Sequence, residues 1–159
     1  MKLRILTDSD EAVLLELLTN DRIRETYMLP DFSQREDAIP LARRLMQLSR
    51  EENRFVRGME ENGALVGFLN DVEIENVCIE LGYAVHPVHW GKGFATAALK
   101  LATEALFRLG YREVTCGAFE ENPASLRVME KAGMQKFEKT DEIEYRGRLH
   151  RCVYYLAER

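Results

Sequence analysis

The segment Tyr83-Ala-Val-His-Pro-Val-His-Trp-Gly-Lys-Gly-Phe-Ala-Thr96 constrains the chain most. Before it, Val77, Ile79, Leu81, Tyr83 and Val85 alternate as one face of a strand over 77–86, which Pro87 stops. After it, Phe94, Ala97, Ala98, Leu101, Ala105 and Leu109 recur at helical spacing up to a Gly110 end cap, opposite a wet face of Lys100, Glu104 and Arg108. A strand therefore runs through a turn with two glycines into a helix expected from about Gly91 to Leu109. The unpaired N–H groups of a helix start, with the positive end of its dipole, attract anions. Gly91 and Gly93 let the backbone approach a phosphate closely, and Ala95 is nearly as small. The pattern is neither a P-loop, because His86 stands at the first glycine and Gly93 follows Lys92, nor a dinucleotide fingerprint, because Thr96 stands at the third glycine. The ordinary reading is a tight connection that binds nothing.

The remaining elements frame this unit. Lys2–Leu6 reads as a short strand. A helix capped by Asp8 or Asp10 runs through Leu18, and a second opens at Ser33 in a Ser33–Glu36 capping box and continues to about Arg50, with Pro40 in its first turns. Arg54–Glu60 and Leu65–Glu73 form a hairpin about Asn62-Gly63. Arg112–Phe119 is a strand, Asn122-Pro123 starts a helix that ends at Gly133, and Gln135–Tyr145 with Leu149–Ala157 close the chain as an antiparallel pair turning at Arg146-Gly147. The order β α α β β β α β α β β predicts a mixed α/β (α+β) fold in a single domain over 1–159.

Composition narrows the partners. A net charge of −5 argues against nucleic acid or an anionic membrane, which call for a concentrated basic face. Apolar runs such as Ala64–Leu69 fall far short of the ~18 residues of a membrane span. Three cysteines, Cys78, Cys116 and Cys152, have no CxxC spacing and suit a reducing cytoplasm. His86 and His89 lack the companions a metal site needs, so none is expected.

Trp90-Gly-Lys-Gly-Phe-Ala-Thr96 resembles the acyl-CoA signature of the GNAT superfamily of N-acetyltransferases, with Trp90 in place of the usual Gln or Arg, a departure familiar in its ribosomal-protein N-terminal (Rim-type) branch. Glu121–Met134 is similar to a second block of that branch. The resemblance implies the GNAT fold, a mostly antiparallel mixed sheet with helices on both faces, and acetyl-CoA as co-substrate without a metal. It implies that backbone groups of Tyr83, Ala84 and Val85 pair with the pantetheine arm. Trp90, Gly91, Lys92, Gly93, Phe94, Ala95 and Thr96 would hold the pyrophosphate, Asn122 the pantetheine, and Ser125 would lie near the thioester sulfur. Asn122 is also a good helix cap in its own right.

The superfamily transfers acetyl directly to an amine. Many members protonate the departing thiolate with a Tyr seven residues after the Asn; position 129 is Met here, and the resemblance to the Rim-type branch, which carries a Ser at the position of Ser125, implies that residue instead. Glu144-Tyr145-Arg146-Gly147 resembles the Rim-type segment that carries a catalytic Glu, which nominates Glu144 as general base through water. Its ordinary reading is a solvent-facing residue in an acidic stretch. An α-amine of pKa about 7.7 is ~15% neutral at pH 7, whereas a lysine near 10.4 must first lose a proton at ~4–5 kcal/mol, so a weakly assisted site suits an α-amine. The expected activity is acetylation of a protein N-terminal α-amine by a monomer or homodimer. A polyamine, an aminoglycoside or another small amine is the alternative acceptor. A non-catalytic acyl-CoA-binding regulatory module is the alternative of another class.

Overall fold

The computed structural model describes all residues, 1–159. Seven strands form one sheet in the order β1-β2-β3-β4-β5-β7-β6. They are β1 (Lys2–Arg4), β2 (Arg57–Glu61), β3 (Ala64–Glu75), β4 (Cys78–Val85), β5 (Glu113–Phe119), β6 (Gln135–Tyr145) and β7 (Arg148–Glu158). The β4–β5 pairing is parallel, as a strand–helix–strand unit requires, while β1–β2, β2–β3, β5–β7 and β6–β7 are antiparallel. The mixed α/β expectation holds. The helices are α1 (Glu11–Leu18), α2 (Asp21–Arg24), α3 (Ile39–Leu48), α4 (Phe94–Arg108) and α5 (Pro123–Lys131). None is long and apolar enough to cross a membrane. The chain divides into two compact units, Met1–Asp71 with Tyr83–Phe94, and Val72–Gly82 with Ala95–Arg159.

In the first unit, Leu14, Leu17 and Leu18 of α1 recur at helical spacing and are buried in one cluster with Ala42, Leu45 and Met46 of α3 and with Val56, Leu65 and Phe68. The Thr7 N–H donates to Asp10 at 2.7 Å, and Arg4 donates to both Asp10 oxygens at 2.7 and 2.8 Å, which anchors β1 to the start of α1. Two expectations shift here. The second helix opens one residue late: the Gln34 N–H donates to Asp37 at 3.0 Å, and a 3-10 turn, Arg35–Ala38, precedes α3. Gln34 and Asp37 thus play the parts expected of Ser33 and Glu36. The added α2 exists because the Asn20 side chain accepts from the N–H groups of Arg22 and Ile23.

In the second unit, β5 buries Val114, Cys116 and Ala118, as the alternation predicts. The expected stripe of α4 is rotated, since Ala98, Leu99, Ala102 and Leu106 are buried while Leu101 and Leu109 are 37% and 68% exposed. The alanines at 98 and 102 put the smallest side chains at the buried face. Register fixes two faces. Cys116 pairs with Tyr155, whose hydroxyl donates to Glu130 of α5 at 3.1 Å, so that face carries α5. Phe119 pairs with Cys152 and Ile143 with His150, and these side chains lie on the opposite face with Tyr154.

Candidate acyl-CoA and acceptor site

The first group of site residues lies in the first unit, where β4 ends. The parallel ladder to β5 runs from Cys78–Glu113 to Leu81–Cys116 and stops there, before the strand does. Strict alternation also breaks, because Ala84 and Val85 are both buried. Gly67 of β3 explains how: a Cβ there would run into the Ala84 carbonyl oxygen and come within 3.0 Å of the Val85 Cα. The glycine lets the end of β4 press closely against β3. An isolated glycine in a strand pattern signals such an approach, and Gly67 went unread in the sequence.

After Val85 the chain makes a 3-10 turn, Pro87–His89, capped by the His86 ring nitrogen, which accepts from the Val88 N–H at 3.4 Å. The Trp90 indole N–H donates back to the Val85 carbonyl at 2.6 Å, and Arg22 stacks over the indole at 4.4 Å. Trp90 therefore fastens the turn to the end of β4. Gly91 and Gly93 follow at φ +76° and +79°, a left-handed conformation that favours glycine, and a Cβ at either would meet nothing within 4 Å. The helix α4 starts at Phe94 rather than Gly91, so the glycines form the approach to its N-terminus and leave open space beside it. Residues at this place fit an anion such as a pyrophosphate. His89 faces Lys92, and burial, then Lys92 and His86, hold its pKa below the ordinary value. Ala95 and Thr96 form the next residues of α4 and belong to the second unit.

The other site residues also lie in the second unit. Asn122 caps α5, its side chain accepting from the Ser125 N–H at 3.3 Å, and Pro123 is the first helical residue. Met129, at the position where a Tyr acid would stand, is 0% exposed and belongs to the core. Glu144 is exposed and pairs across the hairpin with Leu149, itself 63% exposed, on the α5 face. The opposite face of the hairpin carries an arrangement the sequence did not suggest. The His150 ring lies flat on Phe119 at 4.2 Å and 14°, and its Nδ1 is hydrogen-bonded to the Glu121 carboxylate. Arg148 donates to the same carboxylate oxygen at 3.2 Å. The Glu121 carboxyl is held below its usual range, first by its own backbone N–H and then by His150.

All three thiols are free, and burial pushes each above its ordinary pKa, Cys116 most strongly. None has the lowered pKa of an activated nucleophile. A cavity of about 170 Å³ in the second unit is lined by Glu73, Glu75, Glu80 and Glu113 with Lys139 beside them. Burial raises the Glu80 carboxyl, which Lys139 partly offsets from 3.6 Å.

Comparison with known proteins gives these positions a context. The sequence model of the acetyltransferase (GNAT) domain matches residues 1–135. The uncharacterized N-acetyltransferase YoaA of Bacillus subtilis is 28% identical over 139 residues, covering 84% of this chain and 78% of YoaA. The fold is shared with the ribosomal L7/L12 α-N-protein acetyltransferase RimL in complex with coenzyme A, at TM-score 0.86 and 18% identity, covering 98% of this chain and 92% of RimL. It is also shared with the spermidine N-acetyltransferase of Vibrio cholerae in complex with CoA and spermine, at TM-score 0.82 and 19% identity, covering 99% of this chain and 94% of that one.

Proposed function

Since the chain belongs to the GNAT acetyltransferase family and is a GNAT-type N-acetyltransferase, we propose that it moves acetyl from acetyl-CoA directly onto a protein N-terminal α-amine. The observation that carries the reading is the pair of left-handed glycines opening into free space before α4. That geometry suits a pyrophosphate.

In this reading the backbone of Tyr83, Ala84 and Val85 pairs with the pantetheine arm, residues 90–96 hold the pyrophosphate, and Asn122 bonds the pantetheine. A backbone N–H about Val85 stabilises the oxyanion, a role supported by the end of the parallel ladder to β5 at Leu81. The C–N bond forms as the C–S bond breaks. Two protons leave the amine nitrogen; one replaces the acetyl on sulfur, delivered by Ser125, and the other goes to solvent by way of Glu144 and water. Direct transfer agrees with three free, unactivated thiols. A cytoplasmic setting suits free cysteines.

One observation favours a second acceptor. The cavity walled by Glu73, Glu75, Glu80 and Glu113 has the charge a polyamine seeks, and the Vibrio relative holds spermine. The deciding experiment supplies acetyl-CoA with N-terminal peptides, spermine and aminoglycosides, and reads thiol release and acetylated product together. One thiol released per acetylated peptide α-amine supports the reading. Faster turnover of spermine moves it to the second acceptor. Acetyl-CoA binding with no thiol released by any amine overturns it in favour of a binding module.

A further inference from the structure

The pair formed by Glu121 and His150 in the second unit is a side-chain constellation that the reaction above does not use. Glu121 directly precedes Asn122, the cap of α5. His150 reaches Glu121 from β7, and its ring is fixed on two sides, by stacking on Phe119 and by the Glu121 carboxylate at Nδ1. Only 11% of the side chain is exposed. A carboxylate at Nδ1 selects the tautomer with the proton on Nδ1 and leaves the lone pair on Nε2. That Nε2 makes no hydrogen bond, yet it is not among the buried atoms cut off from solvent. A fixed imidazole with one nitrogen bound to a carboxylate and the other open is the arrangement of a general base.

We infer that His150, oriented by Glu121, takes the proton of the acceptor amine directly. The inference rests on the acetyl transfer to an amine proposed above. The ammonium gives one proton to Nε2, the neutral amine attacks the thioester carbon, and the imidazolium returns its proton to water. Glu121 stays ionised throughout and is a positioning residue. This route takes the place of the one through Glu144 and water, since Glu144 lies on the other face of the hairpin. The charged and titratable groups facing His150 are Glu121, Arg148, which shares the Glu121 oxygen, and Tyr145, whose ring lies 6.3 Å away.

The test measures kcat and KM against pH for the wild type, His150→Gln, Glu121→Gln and His150→Gly, on whichever amine the wild type acetylates, with calorimetric titration of acetyl-CoA and circular dichroism on each. His150→Gln should lower kcat/KM about 10²-fold at pH 7, the low end of what a positioned base contributes. The loss should shrink as pH rises past the amine's own pKa, while acetyl-CoA affinity stays at the wild-type value. His150→Gly should regain rate on addition of imidazole, which a structural role would not allow. Glu121→Gln should lose about 10-fold, mainly in kcat, because the ring loses the partner that sets its tautomer. A folded His150→Gln variant with wild-type kcat/KM at pH 7 overturns the inference, as does a loss that stays constant with pH and is not rescued by imidazole in His150→Gly. A wild type that acetylates no amine overturns the proposed function instead, so the two failures are distinct.

Discussion

The turn from Val85 to Phe94 and the hairpin of β6 and β7 build their chemistry from different materials. The turn works through backbone: two left-handed glycines, the N-terminus of α4 and one indole fastening it to the Val85 carbonyl. Its side chains matter chiefly by being small or by staying out of the way. The hairpin works through side chains brought together from β5, the start of α5 and β7, residues about 30 apart in sequence, as the pairing of His150 with Glu121 shows. A backbone site suits a ligand that every member of a family shares, which in the function proposed above is the phosphates and amides of a coenzyme. A side-chain site can change by single substitutions, which suits a group that differs between members, such as the acceptor.

The largest effect should come from the turn. Gly93→Asp places a carboxylate in the open space before α4, at φ +79°. Each backbone bond to a charged phosphate is worth about 1.5–3 kcal/mol, so losing two weakens acetyl-CoA by at least about 10²-fold. Calorimetry on the folded variant checks it. An unchanged affinity would show that the turn is only a connection, and the contrast between the two regions would collapse.

That contrast also explains what could be read from the chain. The turn was legible because glycine spacing, Pro87 and the helical repeat are all local, and Asn62-Gly63, Asn122-Pro123 and Arg146-Gly147 were legible for the same reason. The glycine and arginine of the last pair both take positive φ. Errors fell where a neighbour in space decided. The α4 stripe rotated because packing buried Leu99 and Leu106, with Ala98 and Ala102, in place of Leu101 and Leu109. The capping box slid from Ser33 to Gln34 because Asp37, and not Glu36, reached the backbone. Glu121 and His150 carry no shared motif; only the antiparallel return of β7 beside β5 joins them. Gly67 alone left a local signal that could have been followed.

The second effect in size belongs to Ser125. Its N–H is already tied to the Asn122 side chain, so the cap fixes where the hydroxyl stands at the start of α5. Ser125→Ala should lower kcat by about 10²-fold and leave the apparent KM for acetyl-CoA nearly unchanged, since a proton donor acts in the transition state. Steady-state thiol release measures both. A raised KM with normal kcat would make Ser125 a binding contact and extend the backbone-like behaviour of the turn to α5.

The smallest effect should be at Glu144. Its side chain is exposed, its cross-strand partner is the exposed Leu149, and it lies on the hairpin face away from His150. Interactions of exposed charges are worth about 1 kcal/mol or less, so Glu144→Gln should cost no more than about fivefold in kcat/KM, with little change across pH. A rate profile of the variant from below to above the acceptor's pKa decides the matter. Suppose instead that the variant loses rate steeply at pH 7 and recovers once the amine titrates, near 8 for an α-amine and above 10 for a polyamine. Glu144 would then be the base, and the pH of recovery would report the acceptor class. The working face of the hairpin would be the one that carries α5 rather than the one that carries Phe119.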